Sequence, residues 1–142
     1  MFPRGADASR VVADILELGS AAKSVAKPMV RVKRNPKSKS SKIETVGLIE
    51  GKDNQGYRVA SPLGKGYTLC ASSGGAGPKT GLYLVNGKPR TLSPREAARM
   101  QGFPETFKPH SVPGIALRQF GNSVAAPVVS AITTALYKSI FN

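Results

Sequence analysis

Short runs of alternating hydrophobic and polar residues occupy the N-terminal two thirds of the chain. Alternation with a period of two is typical of half-buried strands. Polar loops rich in glycine separate the runs, and an Asn-Gly pair favours a tight hairpin turn. The pattern predicts strands at residues 29–32, 46–49, 57–59, 67–70 and 82–85, with the hairpin turn at Asn86-Gly87.

A helix with clear termini is predicted after these strands. Ser93 stands at the N-cap, with proline at the first helical position and Glu96 at the third, which is a capping box. Gly102 is a typical helix stop. Nearer the N-terminus, the apolar spacing of residues 11–18 predicts a short helix or turn that ends at Gly19.

A long apolar helix is predicted at the C-terminus, after a short helical turn at residues 114–120. Asn122 or Ser123 is expected to cap this helix, and Pro127 is tolerated in its first turn. The rest of the chain offers little core for the helix to pack against. One face is apolar at helical spacing through Val124, Val128, Ile132, Ala135, Leu136 and Ile140.

Composition and charge narrow the class of protein. A chain of 142 residues forms about one domain, and its net charge of +13 favours a polyanionic partner, most often nucleic acid. Cys70 and His110 are the only residues of their kinds, which excludes an internal disulfide and cysteine- or histidine-rich metal sites. No apolar run approaches about 18 residues and the N-terminus does not resemble a signal peptide, so a cytoplasmic location is expected.

Positive charge is concentrated between Lys23 and Lys42, a stretch that contains no acidic residue. Within it, residues 35–41 are polar and rich in residues that break helices and strands, which predicts a mobile loop. Such a loop is either a solvated surface segment or an element that neutralises phosphates without reading sequence.

Two glycine-bounded polar loops, at residues 51–56 and 72–78, carry candidate recognition chemistry. Gln55 can read a base edge through its amide, and Arg58 can pair bidentately with guanine in the major groove. The glycines of the second loop let its backbone approach a ligand, as a phosphate cradle, or simply form a hairpin tip. That loop matches neither the P-loop nor the dinucleotide-binding pattern.

Two motifs near the C-terminus resemble those of the DNA (cytosine-5) methyltransferases. The first is the pattern R-x-L-[ST]-x-R-E-x-A-R-x-Q-G-F-P, which begins at Arg90 and ends at Pro104. The second is G-N-S-V followed by proline and valine, which begins at Gly121 and ends at Val128. Both motifs stand in the order and at the spacing of that family, so agreement by chance is negligible.

The segment before these motifs resembles the recognition region of the small HhaI-type enzymes of that family, at residues 51–58, 79–81 and 83–88. Phe2-Pro3 looks like the end of the motif that precedes this region, which favours a gene boundary at a domain junction. Asp53-Asn54 and Ser72-Ser73 depart from the nearest relatives, so the DNA sequence recognised is expected to differ.

The resemblance implies an α+β fold. A small, twisted, β-rich target-recognition domain would be followed by helices that complete the Rossmann-like methyltransferase domain of a partner chain. The expected division has a linker with a short helix at residues 1–22, the target-recognition domain at 23–92, and helices that dock on the catalytic domain at 93–142.

The resemblance also implies that the catalytic chemistry lies elsewhere. The family's nucleophilic cysteine directly follows a proline, whereas Cys70 follows Leu69 and is expected to be a small, buried or half-buried apolar residue. The glycine-rich loop that binds S-adenosyl-L-methionine (AdoMet) and the Glu-Asn-Val acid motif are also missing. We therefore expect the catalytic residues in a large subunit, with neither a catalytic residue nor a metal site here.

By resemblance, this chain contacts double-stranded DNA and shares AdoMet with that large subunit. Asn122 and Ser123 fall on positions that line the AdoMet pocket, and Arg95 and Arg99 are expected to be structural. The expected DNA-binding residues are Gln55, Arg58, Ser72, Ser73, Gly74, Gly75 and Lys79.

The leading interpretation is the smaller, DNA-recognition subunit of a split methyltransferase from a restriction-modification system. The heterodimer would flip a cytosine from the duplex and methylate its C5 atom. Two alternatives stay open, namely an inactive truncated remnant and a stand-alone sequence-specific DNA-binding module. A stand-alone module would pack its last helix internally, whereas a subunit would dock that helix on its partner.

Overall fold

A five-stranded mixed sheet followed by three α-helices confirms the α+β class. The computed structural model describes residues 10–20, 22–26, 29–31, 33–50, 55–71 and 81–141. The strands are β1 (Met29–Arg31), β2 (Thr45–Ile49), β3 (Arg58–Ala60), β4 (Leu82–Val85) and β5 (Lys88–Arg90). The helices are α1 (Pro94–Met100), α2 (Pro113–Asn122) and α3 (Ala126–Phe141), and 3-10 turns occupy Val12–Ile15 and Gln55–Tyr57.

The strand order follows the chain, and every neighbouring pair is antiparallel except β3 with β4. The parallel pair matches Val59 with Leu82, so β3 and β4 begin at the same end of the sheet. The β2–β3 connection and Gly81, the residue before β4, therefore lie at one end, which we call the Arg58 end. The β1–β2 connection and the β4–β5 turn lie at the opposite end, which we call the far end.

One of the five predicted strands is wrong. The strands predicted near residues 29, 46, 57 and 82 are confirmed with small shifts at their ends, but residues 67–70 form no strand. Tyr67 and Leu69 are buried because this segment lies across a face of the sheet and not beside a strand. The Tyr67 N–H accordingly donates to the Tyr83 hydroxyl at 2.8 Å instead of to a neighbouring strand.

The predicted hairpin turn is confirmed. Asn86 and Gly87 have φ angles of 50° and 75°, the left-handed pair that a type I′ turn requires. β5, the strand after the turn, lies outside the predicted strands and contains Pro89. An edge strand tolerates proline, and here Val25 covers that edge by donating its N–H to the Pro89 carbonyl at 2.9 Å.

Apolar side chains cover both faces of the sheet. On one face a small buried cluster consists of Val46, Ile49, Val59, Leu82 and Leu84. The other face carries a larger cluster that also joins α1, α2 and the first 3-10 turn. Its largest members are Val12, Ile15, Tyr67, Leu69, Tyr83, Leu92 and Phe120.

The predicted capping box of α1 is confirmed, and it surrounds a buried ion pair. The Glu96 N–H donates to the Ser93 hydroxyl, and the Ser93 N–H donates to the Glu96 carboxylate. Both terminal nitrogens of Arg90 and the Glu17 N–H also donate to this fully buried carboxylate, each at 2.8 Å. Burial by itself raises the pKa of Glu96, but the hydrogen bonds from Arg90 and the backbone outweigh it, so that pKa is lowered.

The junction between the last two helices differs from the prediction. α2 extends through Asn122, beyond the turn predicted at residues 114–120, and Ser123 is its C-cap. The prediction that Asn122 or Ser123 caps the last helix is therefore wrong, because α3 begins only at Ala126. The backbone becomes extended at Ser123, with ψ at 156°, so the chain leaves helical geometry before it enters α3.

None of the 16 residues of α3 is buried. Ile132, Leu136 and Ile140 of its predicted apolar face are 41%, 56% and 69% exposed. Among the described residues, the stretch Pro113–Phe141 is long and apolar enough to cross a membrane by length and composition alone. However, the helix is interrupted at Ser123, and α3 by itself, at ~1.5 Å per residue, is shorter than the ~30 Å hydrocarbon core of a bilayer.

Replacing Glu96 with glutamine leaves the Arg90 guanidinium without its charge partner. Breaking one side of a buried ion pair costs about 3–5 kcal/mol, so Glu96→Gln should lower the free energy of unfolding by that order in a urea titration. Glu105→Gln is the matched control, because Glu105 pairs with Arg99 while 63% exposed, and surface pairs contribute less than ~1 kcal/mol. Equal losses in the two variants would refute the central role of Glu96.

Candidate DNA and cofactor surface

Arg58 begins β3 with its side chain exposed. Its backbone pairs with Leu48 of β2. Within the part of the chain that the structure describes, its guanidinium makes no hydrogen bond or ion pair. Gln55 starts the 3-10 turn that leads into β3, and only its backbone is described. The Arg58 end thus offers an exposed guanidinium, which can pair bidentately with a base edge or a phosphate.

The five predicted DNA contacts of the glycine-rich loop lie outside the described residues. They are Ser72, Ser73, Gly74, Gly75 and Lys79. The chain that follows them is fixed at Gly81, whose φ is +82° and where a Cβ atom would overlap the Tyr67 ring. Because Gly81 immediately precedes β4, this segment re-enters the sheet at the same end as Arg58.

The two residues predicted to contact the cofactor differ in their hydrogen bonding. Asn122 is exposed at the end of α2, and its amide makes no hydrogen bond within the described residues. Ser123 is half-buried, and its hydroxyl donates to the Phe120 carbonyl at 2.8 Å. The Asn122 amide therefore can both donate to and accept from a polar ligand, whereas Ser123 has only its oxygen left to accept.

The first C-terminal motif holds the second in place. Gln101 donates from its side-chain amide to the Phe120 carbonyl at 2.9 Å, and its own carbonyl accepts the Ala126 N–H at 2.9 Å. Gly102 has a φ of +75°, and a Cβ atom there would lie 2.5 Å from Pro127. The turn after α1 is thus shaped to receive the start of α3.

Gly121 joins the second C-terminal motif to the chain that leads to the glycine-rich loop. A Cβ atom on Gly121 would overlap the Cys70 carbonyl and lie 2.5 Å from the Ala71 nitrogen. Only glycine allows this backbone-to-backbone approach. Asn122 therefore lies one residue from a contact with Ala71, which is the last described residue before the loop.

Sequence reasoning missed the connecting roles of Gln101, Gly102 and Gly121, although all three stand in the quoted motifs. It also missed an aromatic cluster in which the rings of Phe103, Phe107 and Phe120 lie 4.7–6.0 Å apart. Phe103 in the first motif and Phe120 immediately before the second were the signal that could have predicted this contact.

The two arginines of α1 differ in their contacts. Arg99 donates to Glu105 at 2.7 Å and to the Ile15 carbonyl at 3.2 Å, as a structural residue would. One terminal nitrogen of Arg95 is buried and has no hydrogen-bond partner among the described residues. Cys70 is half-buried, as predicted. Among the described residues, no three His, Cys, Asp or Glu side chains are grouped to hold a metal ion.

The fold is similar to part of a methyltransferase. The crystal structure of S. pombe Dnmt2 methyltransferase matches this chain with a TM-score of 0.52 and 18% identity. The match covers 58% of this chain and 33% of the Dnmt2 chain. At this identity the likeness concerns the fold alone.

Sequence comparison gives the family. The model of the C-5 cytosine-specific DNA methylase matches residues 10–138, so the chain belongs to that family. It is 38% identical over 134 residues to the type II methyltransferase M.HhaI of Haemophilus parahaemolyticus, covering 92% of this chain and 41% of that protein. It is 54% identical over 83 residues to M.HgiCI of Herpetosiphon aurantiacus, covering 58% and 19% respectively. The chain thus spans less than half the length of these relatives.

A methyl group at position 121 should disturb the fold where the two motifs meet the loop. Gly121→Ala forces backbone atoms apart, and overpacking of this kind costs typically 1–3 kcal/mol, measurable by thermal or urea unfolding. The adjacent Asn122→Ala is the control, because an exposed side chain without partners should change stability by less than about 0.5 kcal/mol. A Gly121→Ala variant as stable as Asn122→Ala would contradict the close approach.

Proposed function

We propose that this chain is the DNA-recognition subunit of a split DNA (cytosine-5) methyltransferase. The observation that supports this most is the exposure of α3. A helix of 16 residues is marginal in water unless an apolar face is buried. Seven of its large apolar side chains are 41–69% exposed, namely Val128, Val129, Ile132, Leu136, Tyr137, Ile140 and Phe141.

The polar side chains of α3 also favour burial against a partner. The hydroxyls of Thr133, Thr134 and Ser139 donate to helix carbonyls of Val129, Ser130 and Leu136 at 2.8–2.9 Å. These donors therefore need no water, and burying them leaves no unsatisfied group. The one charged side chain of the helix is Lys138.

The partner that fits this surface best is a catalytic large subunit. The chain spans 41% of M.HhaI, and by resemblance the remaining part of such an enzyme carries the cysteine that adds to C6 of cytosine. Here the one cysteine, Cys70, follows leucine and not proline. The large subunit would supply the thiolate, the acid and most AdoMet contacts.

On this proposal the chain positions duplex DNA for flipping of the target cytosine. Gln55, Arg58 and the segment 72–79 would contact the DNA at the Arg58 end. Asn122 and Ser123 would line the pocket of AdoMet, which supplies the methyl group. Residues 1–22 would be the linker, 23–92 the target-recognition domain and 93–142 the docking helices of a cytoplasmic heterodimer.

The structure disfavours one alternative. A stand-alone DNA-binding module would pack its last helix internally, and α3 has no buried residue. An inactive remnant would also expose this helix, so the two remaining interpretations differ only in the existence of a working partner.

Complementation tests this function. The chain is mixed with a large subunit that carries the Pro-Cys and AdoMet-loop motifs, and transfer of labelled methyl from AdoMet to cytosine in duplex DNA is measured. Activity is expected from the mixture and from neither chain alone. A large subunit with serine in place of its Pro-Cys cysteine is the negative control. Equal activity of the large subunit alone, or no activity with a partner that binds AdoMet, would refute the proposal.

Docking through α3 is tested with charge placed on its apolar face. Ile132→Asp with Leu136→Asp should weaken association with the large subunit by ~100-fold or more, since burying an unpaired carboxylate costs several kcal/mol. Because neither residue is buried here, the stability of the isolated chain should hardly change. Thr134→Asp is the matched control on the opposite side of the helix. Equal weakening by both changes would argue against this face.

A further inference from the structure

Arg31, at the end of β1, and residues 33–42 form an exposed segment of high positive charge, which we call the basic loop. Within the described part of it, every lysine and arginine is exposed and no acidic residue occurs. Lys39 is paired with Asp14 at 2.9 Å. The other cations make no ion pair among the described residues, and they are Arg31, Lys33, Arg34, Lys37 and Lys42.

The basic loop is held against the rest of the fold. The Ser40 N–H donates to the Leu63 carbonyl at 2.8 Å, and the Lys42 carbonyl accepts the Lys65 N–H at 2.8 Å. A Cβ atom on Gly64 would lie 2.6 Å from the Lys42 oxygen, so glycine is needed for this approach. These backbone contacts fix the loop while its charged side chains remain in solvent.

The basic loop lies at the far end of the sheet, away from Arg58. It connects β1 to β2, whereas Arg58 and Gly81 lie at the other end. Strands of three to five residues separate the two ends by roughly 10–17 Å at ~3.3 Å per residue. This exceeds the screening length of about 8 Å at physiological ionic strength, so the loop contributes little to holding a duplex that crosses the Arg58 end at right angles to the strands.

We propose that the basic loop is a second DNA-contact site, which binds the phosphates of a duplex segment other than the one held at the Arg58 end. The position of the first segment rests on the proposed function. Duplex DNA is stiff over about 150 base pairs, so a short duplex that crosses the Arg58 end at right angles to the strands cannot bend round to the basic loop. The chain would then bridge two DNA segments and could pass from one to the other during its search.

The chemistry of the loop fits a duplex backbone better than other polyanions. Residues 31–44 contain no aromatic side chain, and proteins that hold single strands stack the bases on aromatic rings. Residues 33–42 lack the large apolar side chains that anchor a membrane-surface segment. Asn35, Ser38 and Ser41 are exposed between the cations and add neutral donors for phosphate oxygens.

Bridging is measured by energy transfer between donor-labelled and acceptor-labelled duplexes of about two helical turns, ~21 base pairs. The full chain carries Ile132→Asp and Leu136→Asp throughout, which prevents bridging by self-association of α3. In this background we expect transfer on addition of the chain. Lys33→Ser, Arg34→Ser and Lys37→Ser together should abolish it. Lys108→Ser, Arg118→Ser and Lys138→Ser, which remove the same charge at other exposed positions, should preserve it.

The salt dependence of binding gives an independent readout. Removal of one cation–phosphate pair reduces the slope of log affinity against log salt by ~0.9, so the basic-loop triple variant should reduce the slope by about 2–3. The proposal would be overturned if the two triple variants gave the same energy transfer and the same salt slope. It would also be overturned if the chain with the unaltered basic loop gave no energy transfer. Preferential displacement of the second duplex by duplex RNA or by phosphatidylserine vesicles would overturn DNA as the occupant.

Failure of the second site can be distinguished from failure of the proposed function. If only the second site fails, Arg58→Ala still weakens binding of a single duplex, but no bridging occurs. If the proposed function fails, Arg58→Ala leaves single-duplex affinity unchanged and complementation gives no methyl transfer, whatever the basic loop does.

Discussion

The buried carboxylate of Glu96 joins the end of β5 and the start of α1 to the N-terminal segment, whose Glu17 is 79 residues away in sequence. It receives Arg90 from the end of β5, Ser93 from the start of α1 and the Glu17 N–H from the N-terminal segment. An ionised carboxylate in the interior is costly unless it is paired and hydrogen-bonded. These four hydrogen bonds can form together only when sheet, helix and N-terminal segment have the observed arrangement, so the ion pair favours that arrangement over others.

Beginning at this ion pair, the two C-terminal motifs are held in place one after the other. α1 ends at a turn whose Gln101 and Gly102 receive Phe120, Ala126 and Pro127. The positions of Asn122 and of the start of α3 therefore follow from the packing of α1. The proposed cofactor site and the proposed docking helix are thus held in place without a large core of their own.

The parallel pairing of β3 with β4 determines how charge is distributed. It brings Arg58 and Gly81 to one end of the sheet, and the basic loop lies at the other. A net charge of +13 would, as a bulk property, indicate only affinity for a polyanion. The exposed cations of the basic loop lie more than a screening length from Arg58, which is why we propose two separate contacts with DNA.

Local rules determined the capping box at Ser93, the Asn86-Gly87 turn and the glycine stop at Gly102, because each depends on hydrogen bonds or φ angles within a few residues. The prediction of a strand at residues 67–70 was wrong. Alternation of apolar and polar residues does not show whether a segment pairs with a neighbouring strand or lies across a face of the sheet.

The start of α3 was also decided by tertiary structure, because Gln101 and Gly102 hold Ala126 and Pro127 from a distance in sequence. The apolar stripe of α3 was evident in the sequence, but its exposure was not, since burial depends on what the rest of the fold leaves to cover it. The sequence by itself therefore determined the local elements and the family motifs. The tertiary structure alone decided which of their surfaces are covered and which remain open to a partner.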